Sequence, residues 1–332
     1  MTILEAEEKV KSFQEKLALW GRRVNSVNFT SFPLFDEITL DPVHPVEPRV
    51  RESIIMHLEN LKVIIEGIIL TIQVADSWRF AKLKSNHSDD IWESVRKAFA
   101  YFWDLYGRIW HGYELHGLEN IPEGPCVVTF YHGAISIDHI IFVARYFLLT
   151  HRVCVSVVHR YFFKLPGLQS LLEAFSTISG TKEECMNALK NGRVVAVAPG
   201  GAREALFSDE TYKLVWAHHK GFAQLAIDAR VPIIPMYTEN IREAYRMPKE
   251  RRLTRWLFEI IRLPLIPPYG GLPVKLRAHV GEPIPYNPNI TAEELAEKTK
   301  TALQNLIHRH QQIPGSMWKA FLARFEKTQK ND

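Results

Sequence analysis

Residues 126–138 read Cys-Val-Val-Thr-Phe-Tyr-His-Gly-Ala-Ile-Ser-Ile-Asp, an apolar run that leads directly into polar residues. The run Cys126–Phe130 is rich in β-branched residues and is typical of a buried strand. His132 follows its carboxyl end, which is where open α/β sheets keep their ligands and their chemistry. This stretch therefore predicts an α/β fold with a functional site at the mouth of the sheet.

The polar residues of this stretch offer a base and a group to orient it. His132 is the candidate general base, because an imidazole exchanges protons near neutral pH. Asp138, expected in the first turn of the next helix, is the candidate carboxylate that orients the ring. A carboxylate there also suits the helix dipole, and both roles are compatible. Ser136 lies in the same loop but lacks the Gly-x-Ser-x-Gly elbow expected of a nucleophile.

A second stretch, residues 198–209, reads Ala-Pro-Gly-Gly-Ala-Arg-Glu-Ala-Leu-Phe-Ser-Asp and follows another strand-like run, Val194–Ala198. Its glycine pair is expected to form a turn that exposes backbone N–H groups. Arg203 can bind an anion through its planar fork, or it can pair internally with Glu204 or Asp209. A base, an orienting carboxylate and an anion clamp together suit transfer of an acyl group to a hydroxyl.

The composition limits the class of protein. The chain has 332 residues, of which 46% are hydrophobic and 23% charged, and its net charge is +4. These values are typical of a globular protein with a large core. The charge is too small for a protein that coats polyanions, and the basic residues are dispersed, so nucleic-acid binding is not expected. The three cysteines are far apart, which predicts a reducing compartment, no disulfide and no metal site.

The pattern from residue 112 onward alternates strand-like and helix-like segments. It predicts a mixed, largely parallel sheet flanked by helices. The expected strands are residues 113–118, 126–130, 153–158, 194–198, 231–236 and 274–280, and the expected helices are residues 139–149, 168–175, 182–191, 221–229 and 291–310.

The chain is expected to divide into a helical, membrane-associating region at residues 1–110 and a catalytic α/β domain at residues 111–332. Helical spacing of apolar residues at 1–25 predicts an amphipathic helix. The charged stretch Met1–Lys11 lacks the apolar centre of a signal peptide.

Membrane contact is expected at a surface rather than through a span. The segment Val63–Ala75 falls short of the roughly 20 apolar residues of a membrane span, and Glu66 interrupts it. It therefore predicts a buried or interfacial helix. The aromatic-rich helix expected at Ile91–Trp110 suits a membrane interface or the protein core, and residues 256–268 carry rings and basic groups fit for the same interface.

Together the two stretches resemble the lysophospholipid (glycerolipid) acyltransferase superfamily, in which a His-(four residues)-Asp block supplies the base and a later Pro-Glu-Gly block binds glycerol phosphate. The likeness is closer to the transmembrane protein 68 type, which is related to the diacylglycerol acyltransferases of the second kind. Tyr131-His132-Gly133-Ala134 and the segment Pro199–Leu206 carry it, and it extends over about residues 105–315. Five residues, instead of four, separate His132 from Asp138.

The resemblance implies an enzyme that uses acyl-CoA as co-substrate and needs no bound metal or cofactor. His132 would deprotonate the acceptor hydroxyl, and N–H groups near Gly133 or at the Gly200–Gly201 turn would stabilise the oxyanion. Arg203 would hold the lipid head. The implied site comprises the catalytic residues His132 and Asp138 and the substrate-binding residues Gly133, Pro199, Gly200, Gly201, Arg203 and Glu204.

The subgroup implies a neutral acceptor, mono- or diacylglycerol, and hence triacylglycerol synthesis. The alternatives are a lysophospholipid acyltransferase and a catalytically silent lipid-binding protein of the same fold. The expected partner is the lipid bilayer, and the expected location is the endoplasmic reticulum, with the active site facing the cytosol.

Overall fold

The computed structural model describes residues 12, 15, 89–160, 162–164, 172, 175–216, 219–247 and 269–325. The described part of Trp103–Arg324 forms one compact unit, which contains the site. The predictions for residues 1–25 and 63–75, for most of 168–175 and for 256–268 lie outside the described residues. The predicted division at residue 110 stays a prediction, because almost all of the first 88 residues lie outside them too.

Within the described residues, seven strands form one sheet in the order β1-β9-β6-β2-β5-β3-β4. Its strands are β1 (Glu114–His116), β2 (Cys126–Phe130), β3 (Cys154–Val157), β4 (Thr177–Ile178), β5 (Val194–Val197), β6 (Ile233–Thr238) and β9 (Arg277–Val280), while β7 (Tyr245–Arg246) and β8 (Tyr269–Gly270) pair separately. All neighbours in the large sheet are parallel except β6 and β9. The predicted mixed, largely parallel sheet is confirmed.

Helices connect and cover these strands. They are α1 (Asp89–Trp110), α2 (Ile137–Thr150), α3 (Lys182–Lys190), α4 (Gly201–Phe207), α5 (Gly221–Ala229), α6 (Ile241–Ala244), α7 (Ala292–His310) and α8 (Met317–Leu322), with short 3-10 turns at Leu118–Asn120 and Phe162–Lys164. Capping boxes begin two of them: Thr181 with Glu184 starts α3, and Thr291 with Glu294 starts α7. Among the described helices, none is both long enough and apolar enough to cross a membrane.

Several elements differ from the sequence prediction, among them the strand expected at 231–236, which is Ile233–Thr238, and the strand expected at 274–280, which is Arg277–Val280. The glycine pair predicted only a turn, whereas Gly201 begins α4. The strand expected at residues 113–118 is confined to Glu114–His116, because Gly117 has a φ of 76° and the chain turns into a 3-10 helix there. By contrast, β2 and α5 have the predicted bounds.

The strand β2 lies at the centre of the core. Val127 packs in one apolar cluster with residues such as Phe222 of α5, and Val128 packs in another with Phe142 of α2. All of β2 is buried, as expected for a parallel strand covered on both faces. All three cysteines are free and buried, which confirms that Cys126 and Cys154 are core residues. This rigid centre fixes the position of the loop that follows β2.

Candidate active site

His132 lies in the loop between β2 and α2, at the carboxyl end of the central strand. Its Nδ1 is 2.7 Å from the carbonyl oxygen of Gly133 and 3.2 Å from Oγ of Ser136. A carbonyl oxygen only accepts hydrogen bonds, so Nδ1 must carry the proton and donate it. The other ring nitrogen, Nε2, is then left with a lone pair, which is the form that a general base requires.

The surroundings of His132 keep the ring neutral. Burial lowers the pKa of His132 to about 4, the positive charge of Arg242 adds to this effect, and the Gly133 carbonyl opposes it. An imidazole with this pKa is unprotonated at neutral pH. The ring is therefore present as a neutral base. Its protonated form is costly at this buried position unless a reacting group stabilises the charge.

Asp138 lies in the first turn of α2, as predicted, and is buried. Within the described part of the chain its Oδ1 has no hydrogen-bond partner, and burial raises its pKa to about 7. The described residues show no hydrogen bond between Asp138 and His132, whose Nδ1 is engaged by Gly133 and Ser136. The orienting role of Asp138 therefore stays a prediction.

His139 points away from this pair, as expected from its place on the helix. Its Nε2 is 2.8 Å from Oγ of Ser156, and its ring stacks on Phe130 with a centroid distance of 4.2 Å. It is a buried core histidine of α2.

Glu204 of α4 joins the second predicted segment to the first. Its Oε2 accepts the backbone N–H of His132 at 2.9 Å, and its Oε1 accepts the N–H of Val215 at 3.0 Å. Burial raises its pKa to about 7, and the two N–H donors oppose the shift. Both oxygens are thus used by backbone groups, and Glu204 makes no ion pair with Arg203, which is also among the described residues. Arg203 lies on the same helix, partly exposed, and its substrate role stays a prediction.

The glycines of both segments allow close approach. A Cβ on Gly200 would lie 2.5 Å from Cβ of Glu204, and a Cβ on Gly133 would lie 2.5 Å from Cγ1 of Ile241. The N–H of Gly201 donates to the Ala198 carbonyl at 3.1 Å, so this N–H is not free for an oxyanion. Gly200 thus permits close packing against Glu204 within its own segment, and Gly133 permits close packing against α6. The sequence prediction did not include this role.

Arg242 of α6 is a residue that the sequence analysis missed. Its guanidinium is almost fully buried and donates to the carbonyl oxygens of His132 (3.0 Å), Glu204 and Ala205 (2.8 Å). It also donates to the Tyr131 hydroxyl at 2.8 Å. One side chain therefore ties the loop after β2 to the helix after β5. The available signal was its position shortly after the buried strand β6, the same signal that identified His132.

A mainly apolar cavity of about 520 Å³ opens beside the second segment. Apolar side chains of β3, β5, α3 and α5 line it, including Val157, Val197, Cys185 and Phe222, and Pro199 and His219 also border it. Nδ1 of His219 is 3.1 Å from the carbonyl oxygen of Pro199, in line with donation from the ring to that oxygen. The cavity thus reaches the predicted segment through Pro199.

Comparisons with known proteins bear on the family to which the chain belongs. A family model described as "Acyltransferase" matches residues 112–239. The chain is 54% identical over 249 residues to a Bos taurus protein, covering 75% of each chain, and 54% identical over 244 residues to a Homo sapiens protein, covering 73% of this chain and 75% of the human one. Both relatives are named "DGAT1/2-independent enzyme synthesizing storage lipids".

A solved structure shows the same fold. The 1-acyl-sn-glycerophosphate (LPA) acyltransferase PlsC from Thermotoga maritima superposes with a TM-score of 0.52 at 16% identity, over 76% of this chain and 97% of the other. At this identity the likeness concerns the fold alone.

Proposed function

This chain belongs to the acyltransferase family of glycerolipid type, and we propose that it moves a fatty acyl group from acyl-CoA to a hydroxyl of mono- or diacylglycerol. The observation that carries the proposal is the state of His132, whose Nδ1 is held by the Gly133 carbonyl so that Nε2 is left as a base. The names of the relatives, which describe synthesis of storage lipids, support a neutral glycerolipid as the product.

In the proposed reaction, Nε2 of His132 takes the proton of the acceptor hydroxyl as its oxygen attacks the thioester carbonyl. A carbon–oxygen bond forms, the carbon–sulfur bond breaks, and the proton passes from His132 to the leaving thiolate of CoA. The products are an ester and free CoA. Because His132 is neutral before the reaction, it is ready to accept the proton at physiological pH.

The developing oxyanion needs a hydrogen-bond donor. The N–H of His132 donates to Glu204 and that of Gly201 to Ala198, so neither is available. The N–H of Gly133 makes no hydrogen bond within the described part of the chain, and we assign the oxyanion contact to it. Arg203, partly exposed on α4, would hold the polar end of a lipid substrate.

The cavity beside Pro199 supports a lipid substrate. Its volume of about 520 Å³ falls within the range of small-molecule sites, and its side chains from β3, β5 and α5 are mainly apolar. An acyl chain bound in this cavity would be shielded from water. We also propose that the enzyme works at a membrane surface, that of the endoplasmic reticulum, with its site on the cytosolic side. Trp318 and Leu322 of α8, which are 62% and 36% exposed, are apolar groups fit for such contact.

The test is an assay of the purified full-length chain with labelled acyl-CoA and separate vesicles that contain monoacylglycerol, diacylglycerol or lysophosphatidic acid. We expect label in di- or triacylglycerol. His132→Ala should lower the rate by about 10²–10⁴-fold without loss of thermal stability. The control His308→Ala removes an exposed histidine of α7 and should retain the rate.

Other outcomes separate the alternatives. Label only in phosphatidic acid would favour the lysophospholipid acyltransferase. Absence of transfer to any acceptor, with lipid binding retained, would favour a silent lipid-binding protein. A well-folded His132→Ala variant with full activity would contradict the proposed mechanism.

A further inference from the structure

Three side chains with metal-binding atoms meet where the neighbouring strands β6 and β9 and the end of α7 come together. Glu239 follows β6, His279 belongs to β9, and His310 is the last residue of α7. One oxygen or nitrogen atom from each lies within 4.8 Å of the other two. The three residues are far apart in sequence, which is why no metal-ligand spacing was visible there.

We propose that Glu239, His279 and His310 bind a zinc ion, at a site that is separate from His132 and goes beyond the proposed acyl transfer. Two imidazole nitrogens and one carboxylate oxygen are a ligand set that Zn²⁺ accepts, with water in the fourth position. The sulfur-free, imidazole-rich set is poorly suited to Mg²⁺ or Ca²⁺, which prefer oxygen ligands.

Small movements bring the three groups to bonding distance. Nε2 of His279 and Oε1 of Glu239 are 2.6 Å apart, in line with a hydrogen bond from the ring to the carboxylate. Ligand atoms about 2.0–2.2 Å from a tetrahedral zinc ion lie roughly 3.3 Å from each other, so this pair must separate by less than about 1 Å while the ion replaces the proton. The His310 ring stacks on His279 with a centroid distance of 3.7 Å, and it must tilt about its Cβ–Cγ bond to turn a lone pair toward the ion.

The surroundings hold two of the ligands in place. Oε2 of Glu239 accepts a hydrogen bond from Arg277 at 3.3 Å, which leaves Oε1 directed to the histidines. The ring of His116 also stacks on His279, with a centroid distance of 5.2 Å. Outer contacts of this kind fix the orientation of metal ligands. Arg277 forms an ion pair with Glu114 as well as with Glu239. The negative charge of Glu114 limits the repulsion between Arg277 and a bound cation.

The ion would join the end of α7 to two strands of the sheet. The residue after His310 already makes such contacts, because Oε1 of Gln311 accepts from the Tyr237 hydroxyl at 2.6 Å and from the N–H of Asn240 at 2.9 Å. A ligand that binds only the folded state stabilises it, and the stabilisation rises with the logarithm of the free ligand concentration above its dissociation constant. The zinc site is therefore expected to hold the end of α7 against the strand pair β6–β9.

The experiment is a Zn²⁺ titration of chelator-treated, full-length protein against a chromophoric chelator, together with thermal unfolding. We expect one ion bound at these ligands and a rise in the unfolding midpoint that Mg²⁺ does not produce. His310→Ala should weaken Zn²⁺ binding by about 100-fold or more and abolish the rise. The matched control is His308→Ala, which removes an exposed histidine of the same helix and should change neither result.

Equal Zn²⁺ affinity in His308→Ala and His310→Ala would overturn the proposal, as would the absence of zinc binding by the unchanged chain. If His310→Ala does not fold, the same loss of Zn²⁺ binding is expected and measured in His279→Gln. The introduced glutamine amide can keep a hydrogen bond to Glu239, which favours folding of this variant. These readouts involve no acyl transfer, so the zinc proposal and the proposed function can fail independently.

Discussion

The two segments at the mouth of the sheet each bury one carboxyl group, and the two groups differ in their hydrogen bonds. Glu204, in the segment after β5, accepts backbone N–H groups at both oxygens. Asp138, in the segment after β2, has an Oδ1 without a hydrogen-bond partner among the residues that the structure describes. A buried polar atom without a hydrogen-bond partner costs about 1–3 kcal/mol, so the two carboxyl groups differ in how well their positions suit the ionised form.

This difference assigns different roles to the two segments. The segment after β5 holds the site together through Glu204 and the carbonyl groups that Arg242 binds. The segment after β2 carries two atoms that can still accept a proton or a hydrogen bond, namely Nε2 of His132 and Oδ1 of Asp138. We infer that the segment after β5, apart from Arg203, holds the site in place and that the segment after β2 carries the reacting groups. Each prediction below tests one side of that comparison.

The largest expected effect concerns the structural side. Arg242→Met should lower the free energy of unfolding by about 3–5 kcal/mol, because it leaves buried carbonyl groups of both segments without a donor. The measurement is chemical denaturation. The control is Arg152→Met. Arg152 also donates to two carbonyl groups, those of Pro122 and Gly124, but it is more exposed. Its loss should lower the free energy of unfolding by about 1 kcal/mol or less. Equal costs in the two variants would mean that Arg242 does not tie the segments.

The second effect concerns the reactive side and is a dependence on pH. Burial raises the pKa of Asp138 from 3.8 to about 7, so the folded state retains a proton that the unfolded state loses above about pH 4. The stability contributed by this group therefore falls as pH rises from about 4 to 7. Asp138→Asn does not titrate, so its stability relative to the unchanged chain should increase across this window and level off above it.

The same variant also separates two descriptions of the site. If Asp138 were ionised and bonded to His132, its pKa would be lowered, and the stability difference would have the opposite slope. Turnover of Asp138→Asn should fall less than that of His132→Ala, because an orienting or proton-holding group does not itself react. Full activity would show that another group orients the base.

The third effect is steric and again structural. Gly200→Ala should cost about 1–3 kcal/mol, because the new methyl group would lie 2.5 Å from Cβ of Glu204 and force it away from the N–H of His132. Gly124→Ala is the control, since no atom lies within 4 Å of its Cβ position and the change should stay within about 0.5 kcal/mol. An unchanged stability of Gly200→Ala would mean that the Glu204 contact is easily rearranged.

The comparison also shows what the sequence could reveal. Local pattern was enough for β2, α5 and the capped start of α7, because apolar runs and the Thr291 capping box depend on neighbouring residues. The position of His132 followed from the same pattern. The role of Arg242 did not, because it depends on where the loops after three separate strands meet. The role of Gly200 could not be predicted either. It depends on the position of the Glu204 side chain, which turn propensities do not describe.

The smallest expected effect distinguishes a supporting group from a nucleophile in the reactive segment. Oγ of Ser136 lies 3.2 Å from Nδ1 of His132, but the shorter contact of that nitrogen, 2.7 Å, is with the Gly133 carbonyl. Ser136→Ala removes the longer contact only, so the ring should keep its tautomer and its place. A neutral hydrogen bond contributes about 0.5–1.5 kcal/mol, which corresponds to a loss of about 2- to 10-fold in turnover.

The measurement is steady-state turnover of Ser136→Ala, combined with rapid-quench detection of acyl-enzyme in the unchanged chain. If the base acts directly on the acceptor hydroxyl, no covalent acyl-enzyme forms and the variant remains active. A burst of acyl-enzyme that disappears in Ser136→Ala, with loss of all turnover, would instead make Ser136 the nucleophile and His132 its base. Because the Gly133 carbonyl already fixes the proton on Nδ1, Ser136 faces the protonated nitrogen and cannot transfer its own proton to it. The geometry therefore favours the small effect.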